Sequence, residues 1–274
     1  MSDLVLASRN AERLKKMRRG VLLSARSIHN DLLAQGFVQW QEADGGRWGH
    51  AAEHEFRCAL LTLTYAPGVE WEASQVRRLL DRYRQWAKRN KCVFSYVWVM
   101  ELHKSGVPHY HVVFWVTGGK TPPFPDAEGW WPHGKSNAVW ARSPVGYIAK
   151  YASKGSSADV PGGARLWGAG GLTAAARAER SWCLAPKWLR GVTEPGTLVR
   201  KAQVVIEEVA LSGKRMVSNC IAWVSAATGM AFFSPWEFAG FGPAGIELRH
   251  RGFIECFAPG GDYFRVAHNN PMRG

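Results

Sequence analysis

The pattern of apolar positions predicts a strand, a helix and a hairpin in the first half of the chain. Residues 60–65 form a short β-rich run closed by a Pro-Gly turn, which is typical of a buried strand. Residues 72–91 carry apolar side chains at helical spacing with arginine and lysine between them, which predicts an amphipathic helix with a basic outer face. Two runs rich in Val, Phe, Tyr and Trp, 93–102 and 109–116, predict a β-hairpin.

A second helix follows the hairpin. A loop rich in Pro, Gly and Trp spans 117–140, and the pair Ser143-Pro144 marks the start of a helix that ends at Gly155. Beyond residue 162 the pattern weakens to short strands and glycine turns. The order strand, helix, strand, strand, helix predicts an α+β fold with a central antiparallel β-sheet and helices packed on one side.

These patterns divide the chain into three parts. Residues 1–55 are predicted to be a basic N-terminal extension, in which residues 1–26 form a helix. Residues 56–160 are predicted to be the core that carries the regular elements. Residues 161–274 are predicted to be a C-terminal extension packed on that core.

The composition is that of a folded protein with a large positive charge. Of 274 residues, 46% are hydrophobic, and 35 Lys and Arg against 22 Asp and Glu give a formal net charge of +13. The hydrophobic fraction excludes disorder as the main property, and the positive charge favours a polyanionic partner. No apolar run is long enough to span a membrane, and the basic N-terminus lacks the apolar core of a signal peptide. Five cysteines without a C-x-x-C pair argue against disulfides and structural zinc, so we expect a cytoplasmic protein without a membrane partner.

Two histidines in the hairpin form a candidate metal site. His109 and His111 are two residues apart on a strand, so their side chains share one face. Glu101 on the partner strand can supply a carboxylate oxygen, and His103 has the same parity; Glu101 is the favoured third ligand. Such a set with open positions suits Mg²⁺ or Mn²⁺ carrying phosphate oxygens of a substrate. The alternative is that the two histidines are ordinary structural residues.

Two tyrosines on the second helix form another candidate site. Tyr147 and Tyr151 are four residues apart and share one helix face, and Lys150 and Lys154 each follow a tyrosine by three residues. The lysines make a cationic environment that suits phosphate. A phenol is protonated at neutral pH, so a nucleophilic role requires a base, a nearby cation or a phosphate activated by metal. The alternative is that both tyrosines are half-buried core residues with lysines reaching outward.

Three segments together resemble the motifs of the HUH rolling-circle replication initiators, most closely the two-tyrosine replication proteins of phages and plasmids. They are the run Leu61-Thr62-Leu63-Thr64, the run His109-Tyr110-His111 followed by Val112-Val113-Phe114, and Tyr147-x-x-Lys150-Tyr151. The resemblance covers roughly residues 58 to 156. The stretch 165–172 is also similar to the segment that follows the tyrosine helix in such proteins.

The resemblance implies a metal-dependent endonuclease and strand transferase with a ferredoxin-like, split βαβ core. Tyr147 or Tyr151 would attack a phosphodiester at a replication origin, with Tyr147 favoured as the first nucleophile, and form a 5′-phosphotyrosyl link. The second tyrosine would later help to rejoin the strand. The two histidines and Glu101 would hold Mg²⁺ or Mn²⁺, and Lys150 would lie beside the scissile phosphate.

The implied partners are single-stranded DNA at the origin and a host helicase and polymerase in a bacterial cell. The run Gly118–Thr121 resembles the end of a nucleotide-binding loop, but Phe114 stands where that loop requires glycine, so no helicase activity is predicted. Two alternatives remain: a relaxase or single-strand transposase with the same chemistry, and a non-catalytic protein that binds single-stranded nucleic acid. Only the enzymes would form a covalent, metal-dependent adduct.

Other residues are expected to support binding of nucleic acid. The basic helix 72–91 and the basic N-terminal run are expected to contact phosphates. Trp130, Trp131 and Trp140 are candidates for stacking on unpaired bases; the alternative is that they are packed within a hydrophobic loop.

Overall fold

The computed structural model describes the backbone of residues 2–41, 51–102, 106–154, 164–209, 215–242, 245–259 and 263–267. The chain divides into two units. Residues Leu6–Thr173 form the N-terminal unit, and Ala174–Gly274 together with Met1–Val5 form the C-terminal unit. The three-part division at residues 55 and 160 stays a prediction.

A mixed β-sheet is the centre of the N-terminal unit. Its strands are β1 (Val38–Gln39), β2 (Glu55–Leu63), β3 (Phe94–Leu102), β4 (Pro108–Thr117), β5 (Ser136–Trp140) and β6 (Trp167–Gly170). The strand order is β1-β2-β4-β3-β6, and β5 also pairs with β2. The pairs are antiparallel except for the short parallel pair of β1 and β2. Strands β3 and β4 are buried on both faces over most of their length, which explains their continuous apolar sequences.

Helices cover both faces of this sheet. The helices of the unit are α1 (Ser2–Ala34), α2 (Gln75–Arg89) and α3 (Pro144–Lys154). The apolar side of α2, including Leu79 and Tyr83, packs on the face that carries Phe114. On α3, Tyr151 stacks on His111, and side chains at odd and even positions of β4 point to opposite faces. Thus α3 lies on the face opposite α2.

The structure confirms the predicted α+β class with its central sheet, its hairpin and the helices that precede and follow the hairpin. The predicted antiparallel pairing holds for the described strands of this sheet except β1 with β2. Helix α2 packs on one side of the sheet as predicted, whereas α3 packs on the other. The N-terminal helix continues to Ala34, beyond the predicted end at residue 26. The predicted extent of the loop, 117–140, is wrong at its C-terminal end, because residues Ser136–Trp140 form β5. None of its five residues is buried, and its backbone hydrogen bonds are formed with β2, a distant partner that a local pattern does not reveal.

The contact between α2 and the sheet predicts a large effect of truncation. Leu79 is fully buried in the cluster that joins α2 to the sheet. We expect Leu79→Ala to lower the free energy of unfolding by about 2–5 kcal/mol, because it removes buried methyl groups and leaves a cavity. Urea unfolding followed by tryptophan fluorescence measures this change. The control is Leu33→Ala on α1, where Leu33 is 46% exposed; an equal loss in both variants would contradict the prediction.

The C-terminal unit contains helices and further strands. Its elements are α4 (Ala174–Leu184), α5 (Lys187–Arg190), β7 (Val199–Val209), β8 (Arg215–Ser225), β9 (Ala231–Phe232), β10 (Trp236–Gly242), β11 (Gly245–His250), β12 (Phe253–Phe257) and β13 (Tyr263–Ala267). Strands pair in the orders β13-β12-β9-β8-β7 and β10-β11. The predicted short strands are present as β9 to β13, whereas β7 and β8 are 11 residues long. Helix α4 was missed because it buries little more than Ala176 and therefore has a weak apolar stripe.

Among the helices in the described part of the chain, none combines the length and the apolar character needed to cross a membrane.

Candidate metal centre and tyrosine helix

The hairpin of β3 and β4 brings Glu101, His109 and His111 together. Its register pairs Glu101 with His109 and Val99 with His111, so the three polar side chains share one face. The Oε2 atom of Glu101 lies 3.3 Å from Nε2 of His109 and 3.1 Å from Nε2 of His111. One ligand atom from each residue lies within 4.8 Å of the others. The alternative third ligand, His103, lies outside the described residues, and the register places Glu101 where a ligand is needed.

The environment of His111 suits a metal ligand. Burial lowers the pKa of His111 to about 3, and the nearby His109 and Lys154 act in the same direction. The ring is therefore neutral at neutral pH, as a coordinating imidazole must be. Its Nδ1 lies 3.3 Å from Oγ1 of Thr62. When Nδ1 carries the proton and donates to Thr62, the lone pair of Nε2 is left facing Glu101, so the donor set fits a divalent cation.

Helix α3 lies next to this cluster. The rings of Tyr151 and His111 are stacked, with centroids 3.6 Å apart and planes inclined by 18°. The Nζ atom of Lys154 lies 5.5 Å from the centre of the Tyr151 ring. Tyr147, one turn earlier, is 38% exposed, and Lys150 is also exposed. The structure therefore brings Tyr151 and Lys154 to the histidines, whereas Tyr147 and Lys150 lie on the open part of the helix.

Buried side chains and an arginine of α1 hold α3 against the sheet. Ile148 and Ala152 are buried. Arg18 donates from Nη2 to the carbonyl of Ser153 at 2.9 Å and from Nε to that of Ala152 at 3.4 Å. Carbonyls in the last turn of a helix lack partners within the helix, and a cation there also complements the helix dipole. Within the N-terminal basic run, which was expected to contact phosphates, Arg18 thus binds the tyrosine helix.

Two of the tryptophans proposed as stacking surfaces pack against other side chains of the unit, Trp131 buried and Trp140 half-buried. Trp131 is 1% exposed and donates from Nε1 to the carbonyl of Thr64 at 3.1 Å, so the alternative of packing is confirmed for this residue. Trp140 faces Trp40, with ring centroids 5.4 Å apart. The guanidinium of the buried Arg57 lies 5.0 Å and 5.2 Å from the rings of Trp40 and Trp140. These contacts join the start of β2 to the end of β5.

A cavity of about 640 Å³ opens beside the two histidines. The cavity is also lined by Thr62 at the end of β2, by the following segment 64–69, and by Val107 and Pro108. Most of these residues are apolar or small, apart from the hydroxyls of Thr62 and Thr64. A volume within the range of about 300–1,000 Å³ is typical of a ligand pocket, so a substrate group can lie next to the candidate metal centre.

Thr62 is a residue of the candidate site that the spacing of the histidines and tyrosines does not identify. The pairing of β2 with β4 sets Thr62 directly opposite His111, and this register is not visible in either strand alone. The hydrogen bond to Nδ1 orients the ring, as outer partners of metal-binding histidines do. A threonine within the strand that pairs with the histidine strand is the signal that could have identified it.

We expect Thr62→Val to weaken Mn²⁺ binding by about 10-fold or more, because loss of such an outer partner typically costs 10–100-fold in affinity. Isothermal titration calorimetry with Mn²⁺ measures the effect. The matched control is Thr64→Val, directly after the end of β2, since the Thr64 hydroxyl donates to the carbonyl of Lys135 instead of a histidine. Equal affinities in the two variants would speak against the orienting role of Thr62.

Fold and site together define an α+β protein with a candidate metal centre of two histidines and one carboxylate. Within that class, residues 58–156 match the family model of the replication-associated protein ORF2 family. The match covers a little over a third of the chain and contains the histidines, Glu101 and both tyrosines. Comparison with curated proteins and with solved structures finds no match. Over these residues the chain is therefore similar to replication-associated proteins, which is consistent with a rolling-circle replication initiator.

Proposed function

We propose that the chain initiates rolling-circle DNA replication by nicking one strand at an origin through a tyrosine nucleophile. The observation that carries the proposal is the stacking of Tyr151 on His111, which places a phenol beside the Glu101–His109–His111 cluster. The match to a replication-associated family over the same residues supports it. A net charge of +13 is suited to a polyanionic substrate such as DNA.

In this proposal Glu101, His109 and His111 hold a divalent cation, Mg²⁺ or Mn²⁺. When bound, the cation supplies Lewis acidity that makes a phosphodiester more electrophilic and stabilises the charge that develops on its oxygens. The neutral state of His111 keeps its nitrogen available as a ligand. Coordination positions beyond the three donors found among the described residues would be available to phosphate oxygens.

The phenol oxygen of Tyr151 attacks the phosphorus atom of the scissile phosphodiester. A bond forms between tyrosine oxygen and phosphorus, the bond from phosphorus to the 3′ oxygen breaks, and the phenol proton is released while the 3′ oxygen takes up a proton. The products are a 5′-phosphotyrosyl link and a free 3′-OH, so the energy of the phosphodiester is retained. Lys154, near the Tyr151 ring and exposed to solvent, supplies positive charge beside the phosphate.

The contact with His111 supports Tyr151 as the first nucleophile, whereas the resemblance favours Tyr147. The exposed Tyr147 would then act in the second cleavage, when the released 3′-OH attacks the first linkage and closes the strand. Lys150 lies between the two tyrosines on the exposed side of α3 and would serve the phosphate of that second step. Single-stranded origin DNA is the proposed substrate, and a host helicase and polymerase would provide unwinding and synthesis.

The experiment is a search for a covalent protein–DNA adduct. The full chain is incubated with labelled single-stranded oligonucleotides of random sequence, with Mg²⁺, with Mn²⁺ or with excess chelator, and separated by denaturing electrophoresis. We expect a labelled band at the size of the protein only in the presence of metal, and peptide mapping then locates the modified tyrosine. Tight binding without an adduct on any pool would replace the proposal by the non-catalytic binder.

A further inference from the structure

A second groove lies on the face of the sheet away from His111, between α2 and the edge strand β6. Its volume is about 510 Å³, within the range of about 300–1,000 Å³ that is typical of ligand pockets. The residues that matter for its chemistry are Trp71, Arg77, Arg84, Tyr96, Trp98 and Arg165. None of them belongs to the candidate metal centre or to the tyrosine helix.

The glycines of β6 make room for the aromatic rings that line the groove. Gly168 pairs with Trp98 and Gly170 with Tyr96. A Cβ atom at Gly168 would lie 2.6 Å from the indole nitrogen of Trp98, and one at Gly170 would lie 2.5 Å from the ring of Tyr96. Any side chain at these positions would collide with the aromatic rings. The two rings can therefore lie directly against the backbone of the edge strand, where they form one wall of the groove.

The aromatic rings of the groove are held in place by contacts beneath them. Trp98 is 8% exposed and meets Tyr110 edge to face, with ring centroids 5.6 Å apart. Trp71 donates from Nε1 to the hydroxyl of Tyr110 at 2.7 Å. Rings that are fixed before a ligand arrives lose little conformational entropy on binding. Such rings are suited to stacking against a flat, partly apolar group such as a nucleobase.

Positive charge surrounds the aromatic floor. Arg77 and Arg84 extend from α2 and Arg165 from the segment before β6. The carboxylate of Asp81 contacts both Arg77 and Arg84, so one negative charge is set against three positive ones. Arg84 also donates to the hydroxyl of Tyr96, which directs a guanidinium toward the rings. The residual positive charge matches a phosphate group.

A third pocket, with chemistry related to that of the groove between α2 and β6, lies on the other side of α2. Its volume is about 290 Å³, and it is lined by Arg78, Arg82, Trp130 and His133, among others. Trp130 is fixed edge to face against Tyr83, with centroids 5.2 Å apart. Helix α2 therefore has arginine beside tryptophan on both of its sides, as expected of a helix that a nucleic-acid strand crosses.

We propose that the groove between α2 and β6 binds one unpaired nucleotide of a DNA strand, with its base on the half-exposed ring of Trp71 and its phosphate at Arg77 and Arg165. The sheet separates this groove from the candidate metal centre, so the nucleotide bound here is not the one that is cut. A strand anchored at the groove leaves its scissile segment free to reach the other face. The inference does not depend on cleavage, because neither the metal ligands nor the tyrosines take part.

The first test is photo-cross-linking in excess chelator, where no cleavage occurs. The probe is a single-stranded oligonucleotide of eight residues that contains 5-iododeoxyuridine, and the cross-linked peptides of the full chain are identified by mass spectrometry. We expect cross-links to Trp71, Tyr96 or Trp98. Cross-links confined to the face of His111 would overturn the proposal.

The second test compares two double variants that lose the same charge. We expect Arg77→Gln with Arg165→Gln to weaken binding of the unmodified oligonucleotide about 10-fold in 0.1 M salt and to reduce the slope of log K against log salt by about 1.4. The control is Lys88→Gln with Arg89→Gln, exposed residues in the last turn of α2 that do not line the groove. Fluorescence anisotropy measures the affinities in chelator, and circular dichroism verifies that both variants are folded.

Equal losses of affinity in the two double variants would overturn the proposal, since they would reflect net charge alone. Thymidine monophosphate serves as a competitor to identify the source of the nucleotide. We expect it to displace the oligonucleotide only at concentrations at least about 100-fold higher, because it lacks the neighbouring phosphates. Displacement at equal concentrations would assign the groove to free nucleotides instead of a strand. The absence of a covalent adduct in the earlier assay would leave these binding results unaffected.

Discussion

Replacement of both Tyr147 and Tyr151 by phenylalanine is expected to abolish formation of the covalent DNA adduct, with a loss of about 10⁴-fold or more in the rate. The change removes only the two oxygen atoms that could bond to phosphorus and retains the rings. The stacking on His111 should therefore persist. We expect DNA affinity in chelator to change by less than about twofold, because lysine and arginine supply most of the attraction to phosphate. Denaturing electrophoresis measures the adduct and fluorescence anisotropy the affinity.

The single variants distinguish the two tyrosines. We expect Tyr151→Phe to remove nearly all adduct with a single-stranded substrate, because its ring lies beside the candidate metal ligands. Tyr147→Phe should retain the first nick, since Tyr147 lies one turn away and is exposed. The matched control is Tyr83→Phe, a tyrosine of α2 on the opposite face of the sheet. The opposite order of the single variants would assign the first step to Tyr147, and an adduct in the double variant would refute both.

Replacement of His109 and His111 by alanine is expected to remove Mn²⁺ binding and adduct formation together. Two of the three donors of the cluster are lost, so we expect metal affinity to fall by at least about 100-fold, the upper end of what loss of an outer partner alone costs. Glu101→Gln keeps the shape of the third side chain but removes its charge, and should also lower affinity. Isothermal titration calorimetry with Mn²⁺ and the adduct assay provide the two readouts.

The control for the histidine variants is His54→Ala, which changes an exposed histidine outside the cluster. It should leave metal binding and adduct formation as in the unchanged protein. Adduct formation that continues in excess chelator would remove the metal from the mechanism. Loss of Mn²⁺ binding with retained adduct formation would show that the cluster binds a cation with no part in cleavage.

Local pattern was sufficient for the elements that carry the site. Strand β4 is a continuous apolar run and helix α3 has apolar side chains at helical spacing, and their predicted bounds agree closely with the observed Pro108–Thr117 and Pro144–Lys154. The apolar pattern does not predict β5 and α4, because these elements have few buried positions and depend on neighbouring segments for their stability. The spacing of apolar residues reflects which side of an element is buried, so it predicts an element poorly where few of its residues are buried.

The third metal ligand shows where spacing stops being informative. Parity along β3 admitted both Glu101 and His103, and a shift of one residue in the hairpin would have turned Glu101 to the other face. The observed register pairs Glu101 with His109 and brings its carboxylate to both imidazoles. Hydrogen bonds along two whole strands decide this register, and no single residue reveals it.

The order of residues along the chain is enough to tell which chemical groups are available and which neighbouring side chains share a face. The spacing of His109 and His111 on a strand and of Tyr147 and Tyr151 on a helix follows from backbone geometry alone. Three further properties follow from the folded chain: α3 packs over His111, α2 lies on the opposite face of the sheet, and burial lowers the pKa of His111. These properties depend on packing between segments far apart in the chain, and that packing is the sum of many weak contacts that no local pattern contains.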